Sequence, residues 1–215
     1  MASSHDQGSG RARLLEAARD LFAARGYAAT SIDDVLAVTG LSRGALYHHF
    51  ANKQELFAAV LEDVESEIAQ AVASAASRAR SPRKALQTGC EVWLSLARDP
   101  TIRQISLVDA PSVLGWETWR ETEARHGLGL LRAALSAQAD EGHLEPALVD
   151  HYAHILLATL IELGLMISRA ENPDQAETQA RRALSDLLNH TLFQRTQLSP
   201  RPLVAKPRRR PGAAR

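Results

Sequence analysis

The sequence predicts an all-α protein, with a small N-terminal domain of three helices built around a helix-turn-helix and a larger C-terminal helical domain. Apolar side chains recur every three or four residues. Leu14, Leu15, Ala18, Leu21 and Phe22 show this near the start, and Ala176, Ala180, Ala183, Leu184, Leu187, Leu188 and Leu192 near the end. That is the period of a helix with one buried face. Several prolines directly follow a side chain able to cap a helix, in Ser81-Pro82, Asp99-Pro100 and Asn172-Pro173. The cap oxygen accepts from a free N–H of the first turn, and proline at the next position loses no helical hydrogen bond. No sustained alternation of β-branched residues bounded by hairpin turns competes with this reading. About nine helices joined by short connections result.

Taken in order, residues 1–9 are polar, lack the apolar stretch of a secretory signal, and read as a flexible N-terminus. Residues 10–57 form the first domain, with short helices broken by Gly26, Gly40 and Gly44. Thr30 or Ser31 can cap a helix whose apolar face is Ile32, Val35 and Leu36, and Gly40 can take the left-handed conformation that ends it. Leu41 anchors the turn, and Ser42 caps a second short helix with Ala45, Leu46 and Phe50 facing inward, completing a helix-turn-helix. Ser42, Arg43, Gly44, Tyr47 and His48 then face outward. A DNA major groove about 12 Å wide admits such a helix, and arginine can donate two hydrogen bonds to guanine. Asn52 and Lys53 open the following helix, where free N–H groups and a positive charge suit a phosphate. Tyr47 could instead cover the core with its ring, and His49 is expected to pack inward beside Phe50.

Residues 58–197 form the larger domain, where the helices lengthen and carry all three tryptophans, Trp93, Trp116 and Trp119. Trp116 and Trp119 share a helical face at spacing three. Ile155 to Ile167 is apolar nearly all round, interrupted by Glu162, and is shorter than the ~18 to 20 residues that span a bilayer, so no membrane partner is expected. One side of this helix can bury against its own domain and the other against a second copy, with Gly164 admitting a close helix. The final helix, Pro173 to about Phe193, adds a neighbouring apolar stripe, giving a four-helix interface in a homodimer. A wholly intrachain core is the alternative. A twofold dimer would set two recognition helices in successive major grooves of a roughly palindromic double-stranded DNA site. The last segment, 198–215, holds four prolines and Arg208-Arg209-Arg210 with no acid, and reads as a disordered basic tail.

Several chemistries are absent. A single cysteine, Cys90, leaves no disulfide framework and no paired-cysteine zinc site, which suits a reducing, cytoplasmic compartment. His151 and His154 lie one turn apart with Glu162 eight residues on, but no complete ligand set follows, so neither a metal nor another cofactor is expected. There is no glycine-rich phosphate loop, nucleophile elbow or dinucleotide fingerprint, and the chain is not expected to be an enzyme. A helical enzyme with dispersed catalytic residues, or a helical interaction module without DNA, are the competing readings.

Twenty-five basic against twenty-five acidic residues give zero net charge, which at first argues against a polyanion binder. By region the balance is 0 over residues 1–60, −6 over 61–199 and +6 over 200–215. An acidic body disfavours nonspecific adhesion, so DNA affinity must come from a few placed groups.

The run from Leu14 to Phe57 resembles the N-terminal domain of the tetracycline-repressor (TetR) family of bacterial transcriptional regulators. The resemblance rests on Ala-Ala-x-x-Leu-Phe in the first helix, Gly26-Tyr27, Thr30-Ser31, Gly40-Leu41-Ser42-Arg43-Gly44, Leu46-Tyr47-x-His49-Phe50, Lys53 and Leu56. It implies that Thr30 and Ser31 contact phosphate, that Ser42, Arg43, Gly44, Tyr47 and His48 meet bases or backbone, and that Lys53 binds phosphate. Leu36 departs from the pattern, standing where the family commonly has a small alanine, which implies a wider crossing of the two helices. The resemblance also implies a dimer through the last two long helices and a small-molecule effector bound among the middle helices, Pro82 to about Glu141. Trp93, Trp116, Trp119, His126 and Met166 are the candidate lining residues, since indole offers a broad apolar wall with one N–H donor.

Overall fold

The computed structural model describes residues 4–193, all helical elements and connections with no strand among them. The tail, 198–215, lies outside the described residues. Nine helical stretches occur in this span. The first, α1, is Ser4–Arg25, so residues 4–9 join a helix instead of forming the expected flexible start. Gly26, at φ 77°, turns the chain out of it. Then α2 spans Ile32–Thr39, with a capping box between Ser31 and Asp34 and Gly40 at φ 66° closing it. Ser42 caps α3, Arg43–His49, by accepting from the Ala45 N–H. Asn52 caps α4, Lys53–Ala76, a helix that crosses the expected domain boundary at 57/58 without a break.

Ser81, Asp99 and Asn172 each accept from an N–H of the following turn, with proline at the first positions, as the dipeptides predicted. They start α5, Pro82–Leu96, α6, residues 100–113, and α9, Pro173–Leu188, which continues as a π turn through Phe193. Residues 116–140 form α7, and Val149–Arg169 form α8 after a short 3-10 turn. Two of these helices widen locally: α6 is π-helical over Arg103–Asp109 and α7 over Ala124–Leu128. Such widenings often accompany functional sites.

The three-helix domain closes around Leu14, Ala18, Phe22, Val35, Leu46 and Phe50, all buried. Leu36 is partly buried against this core. Phe22, Tyr27 and Phe57 form an aromatic triangle with centroids 5.2 to 5.8 Å apart, tying α1 and its exit turn to α4. The larger domain stacks α4, α5, α7, α8 and α9. On α8, Leu156, Leu157, Leu160, Ile161, Leu165 and Ile167 are buried in the chain's own core, whereas Ile155 and Met166 stay exposed.

Two expectations about α8 are corrected. With its lead-in turn the helix runs Pro146–Arg169, 24 residues containing an 18-residue window of mean hydropathy 1.4, long and apolar enough to cross a membrane; half of that window is buried inside the protein instead. Length therefore does not exclude a span, and packing supplies the helix with another use. Gly164 does not wait for a second helix. A Cβ there would stand 2.7 Å from Cζ3 of Trp93, so the missing side chain makes room for an indole of the same chain.

Candidate DNA-contacting face and interhelical cavity

The sequence-predicted outward face of α3 is a single exposed strip: Ser42, Arg43, Gly44, Tyr47 and His48 all face solvent. Leu46 and Phe50 on the opposite side are buried, which fixes the helix's rotation. Nothing lies closer than 3.9 Å to a Cβ built on Gly44, so the backbone there is open to close approach. The Arg43 guanidinium pairs with Asp33 of α2. Both groups are exposed, so the pair is weak and screened by salt, and Arg43 can exchange it for a base edge. His49 is partly buried, its ring 6.3 Å from that of Phe50, as expected.

Around the ends of α2 and α4 the structure redistributes roles. Thr30 is 1 % exposed and its hydroxyl donates to the Gly26 carbonyl at 2.9 Å, so its side chain cannot reach a phosphate. Ser31 is exposed, but its hydroxyl and N–H both donate to Asp34, at 2.6 and 2.7 Å. Those bonds hold the Asp34 carboxyl below its usual pKa. An anion at Ser31 would have to displace that carboxylate. Lys53 is partly buried: Nζ donates to the Tyr27 carbonyl at 2.8 Å and the Thr30 carbonyl at 2.9 Å, and sits 3.9 Å from the Tyr27 ring centroid. Two of its three donors are thus committed to the fold. The residues that mimic a phosphate site in sequence are partly the braces that hold the turn between α1 and α2.

A cavity of about 340 Å³ opens among α4, α5, α7 and α8. Of the five residues nominated for a ligand pocket, Trp93 and His126 line it; Trp116, Trp119 and Met166 do not. Trp119 is fully buried, with Trp116 stacked edge-on at 4.9 Å and 61 % exposed. Their shared face is real, but it covers core. Met166 points off the outer side of α8, 59 % exposed. His126 Nε2 lies 2.5 Å from Glu62 Oε2, and Arg125 engages the other oxygen of that carboxylate, Oε1.

The sequence reading missed the polar end of this cavity. Glu65 of α4 and Glu123 of α7 are each 3 % exposed and both line it. Ser106, from the π turn of α6, joins them, its Oγ 2.6 Å from Glu65 Oε1 and 3.2 Å from Glu123 Oε1. Burial pushes the Glu123 carboxyl well up, and the neighbouring Glu65 charge adds to it. Burial raises Glu65 as well, against the pull of Ser106 and His126. The pair therefore keeps a proton far above the pH at which an exposed glutamate loses it. A signal existed: Glu65 sits among Leu61, Val64 and Ile68 at helical spacing, a charge inside an apolar stripe. Cys90 also lines the cavity, and burial pushes its thiol up to about 12, a protonated and unreactive state rather than a redox sensor's. Among the described residues no three His, Cys, Asp or Glu side chains gather as metal ligands, and His154 lies 3.9 Å from Asp150.

Ser106 is three residues from Asp109 in the same π turn. Asp109 Oδ2 accepts from the Tyr27 N–H at 2.8 Å, across the junction to the three-helix domain. The Tyr27 carbonyl is one of the two that Lys53 holds. The backbone of the π turn thus joins the hydrogen bonds at the polar end of the cavity to those at the turn that positions α2.

Comparison with known proteins places both halves. Residues 14–60 match the family of bacterial regulatory proteins, tetR family, and residues 83–191 match the tetracyclin repressor-like C-terminal domain. The HTH-type transcriptional repressor AcnR of Corynebacterium glutamicum is 27% identical over 193 residues, 86% of this chain and 93% of AcnR. The Transposon Tn10 TetC protein of Escherichia coli is 26% identical over 132 residues, 61% of this chain and 66% of that protein. A solved TetR-family transcriptional regulator from Pectobacterium atrosepticum superposes with a TM-score of 0.80 at 31% identity, covering 89% of this chain and 98% of that one.

Proposed function

Since the chain belongs to the tetR family of bacterial regulatory proteins and is a DNA-binding transcriptional regulator, we propose that it is a dimeric, cytoplasmic repressor, without enzymatic activity, whose grip on a palindromic operator is released by a small molecule in the cavity between α4, α5, α7 and α8. The observation that carries the DNA half is the exposed strip of α3, with Arg43 held by an exchangeable, exposed partner. In the complex Arg43 reads a base, with Ser42, Gly44, Tyr47 and His48 around it. Ser31 and the remaining donor of Lys53 are the nearest candidates for phosphate. Selection of preferred sites from a random DNA pool tests this. Arg43→Ala is expected to relax sequence preference at one position per half-site, a discrimination of about 1–3 kcal/mol. Uniform weakening on every site would instead make Arg43 a backbone contact.

The exposed stripe of Ile155, Ala158, Glu162 and Met166 on α8 supports the dimer, since it is apolar at three of four positions and no element among the described residues covers it. Twofold pairing of α8 and α9 would bury it and space two α3 helices for successive grooves. A monomeric mass in solution at micromolar concentration would reject that interface. For release, the ligand must favour a state in which the recognition helices are misplaced, because equal affinity for two states shifts neither. Ser106 and Asp109, on one π turn, are the groups through which occupancy of the cavity reaches Tyr27.

A further inference from the structure

The cavity restricts its occupant more than the family does. Its walls are aliphatic and aromatic, with Ile68, Val72, Leu86, Leu131 and Leu157 facing the Trp93 indole. Among the described residues no lysine or arginine lines it, and the lining histidine, His126, is already engaged by Glu62. Its polar end is a pair of carboxyl groups from helices 58 positions apart in sequence, met by a single hydroxyl.

On the reading that this cavity is the effector site, we infer that its ligand is a compact hydrophobic amine: an apolar body of one or two rings carrying one ammonium group, which docks between Glu65 and Glu123 in place of the Ser106 hydroxyl. The pair holding one proton carries one negative charge, and a single ammonium neutralises it inside apolar walls. An N–H donor held by a carboxylate away from water makes a charge-assisted bond roughly twice as strong as a neutral one. A ligand carboxylate would meet two acids, with His126 already engaged by Glu62, a costly arrangement in a buried site. A neutral hydrocarbon would fill the walls and leave the acids to Ser106. The volume, about 340 Å³, stands at the small end of ligand pockets, which suits a compact occupant.

Three probes of matched shape decide the class: 4-phenylbutylamine, 4-phenylbutan-1-ol and 4-phenylbutyrate, titrated into the full-length protein by calorimetry or by the fluorescence of its tryptophans. The amine is expected to bind at least about tenfold more tightly than the alcohol, and the carboxylate more weakly than either. Glu123→Gln and Glu65→Gln are each expected to bring the amine-to-alcohol ratio within about threefold, because they remove the charge while keeping the shape. Binding of the carboxylate or the alcohol as tightly as the amine, or an amine preference that survives both variants, overturns the inference, as does failure of the amine to bind at millimolar concentration. If a variant does not fold, the three wild-type affinities decide alone. The regulatory reading fails separately: amine preference in the cavity without any change in operator affinity sustains the ligand class and rejects release, whereas release by a carboxylate sustains regulation and rejects the amine.

Discussion

Lys53→Ala is expected to lower stability by about 2–4 kcal/mol, a large effect for a lysine at the surface end of a helix. The side chain donates to the carbonyls of Tyr27 and Thr30 and stands over the Tyr27 ring. Hydrogen bonds from a charged donor contribute about 1.5–3 kcal/mol each, and truncation leaves two carbonyls short of partners in a partly enclosed turn. The same turn carries the Tyr27 N–H bond to Asp109 and the buried Thr30 hydroxyl, so its loosening propagates to the start of α2. Chemical denaturation measures the loss, and an unchanged midpoint would show that Lys53 is not a brace. DNA binding then separates the two roles. One donor remains for phosphate, so the slope of log affinity against log salt is expected to fall by at most about one. An unchanged slope would confine Lys53 to the fold.

Glu123→Gln is expected to make the protein more stable at pH 8 than the wild type and to flatten its pH dependence. Glu123 is buried against Glu65, and burial pushes both carboxyls above their usual value, Glu123 the more strongly because the Glu65 charge adds to it. Above that pH the folded chain binds protons that the unfolded chain has released, so wild-type stability declines as pH rises toward the elevated folded value. Below it both states are protonated and the contribution is complete. Glutamine keeps the shape and a donor toward Glu65 without the ionisation. A tenfold displacement of an ionisation equilibrium is worth about 1.4 kcal/mol, which thermal melts between pH 4 and pH 8 resolve as several degrees in Tm. Parallel melting curves for the two proteins would show that the pair does not titrate as a buried unit.

The local grammar of the chain was legible because it acts within one turn of helix. Ser81, Asp99 and Asn172 cap the helices that their prolines begin, and Ser42 and Gly40 bound the two short helices where their chemistry requires. The outward face of α3 followed from the period alone, since Leu46 and Phe50 leave only one side for Arg43, Tyr47 and His48. The acidic character of the larger domain was equally plain in composition. What composition hid was that three of those acids, Glu65, Glu123 and Glu177, are inside: Glu65 reads as one charge among many until α7 brings Glu123 beside it and α6 brings Ser106 between them.

The sequence by itself determined that this is an all-helical protein with a recognition helix capped by Ser42 and exposing Arg43, because capping, glycine conformation and a 3.6-residue period depend on neighbours a few positions away. Only the tertiary structure decided which polar residues are spent on the fold and which are free for partners. Thr30 and Lys53 turned inward to backbone carbonyls, Trp116 and Trp119 covered core, and Gly164 admitted the Trp93 ring. Buried polar groups must find partners wherever the packed helices bring them, and those partners, from residue 27 for Lys53 to residue 123 for Glu65, lie too far along the chain for any local pattern to name.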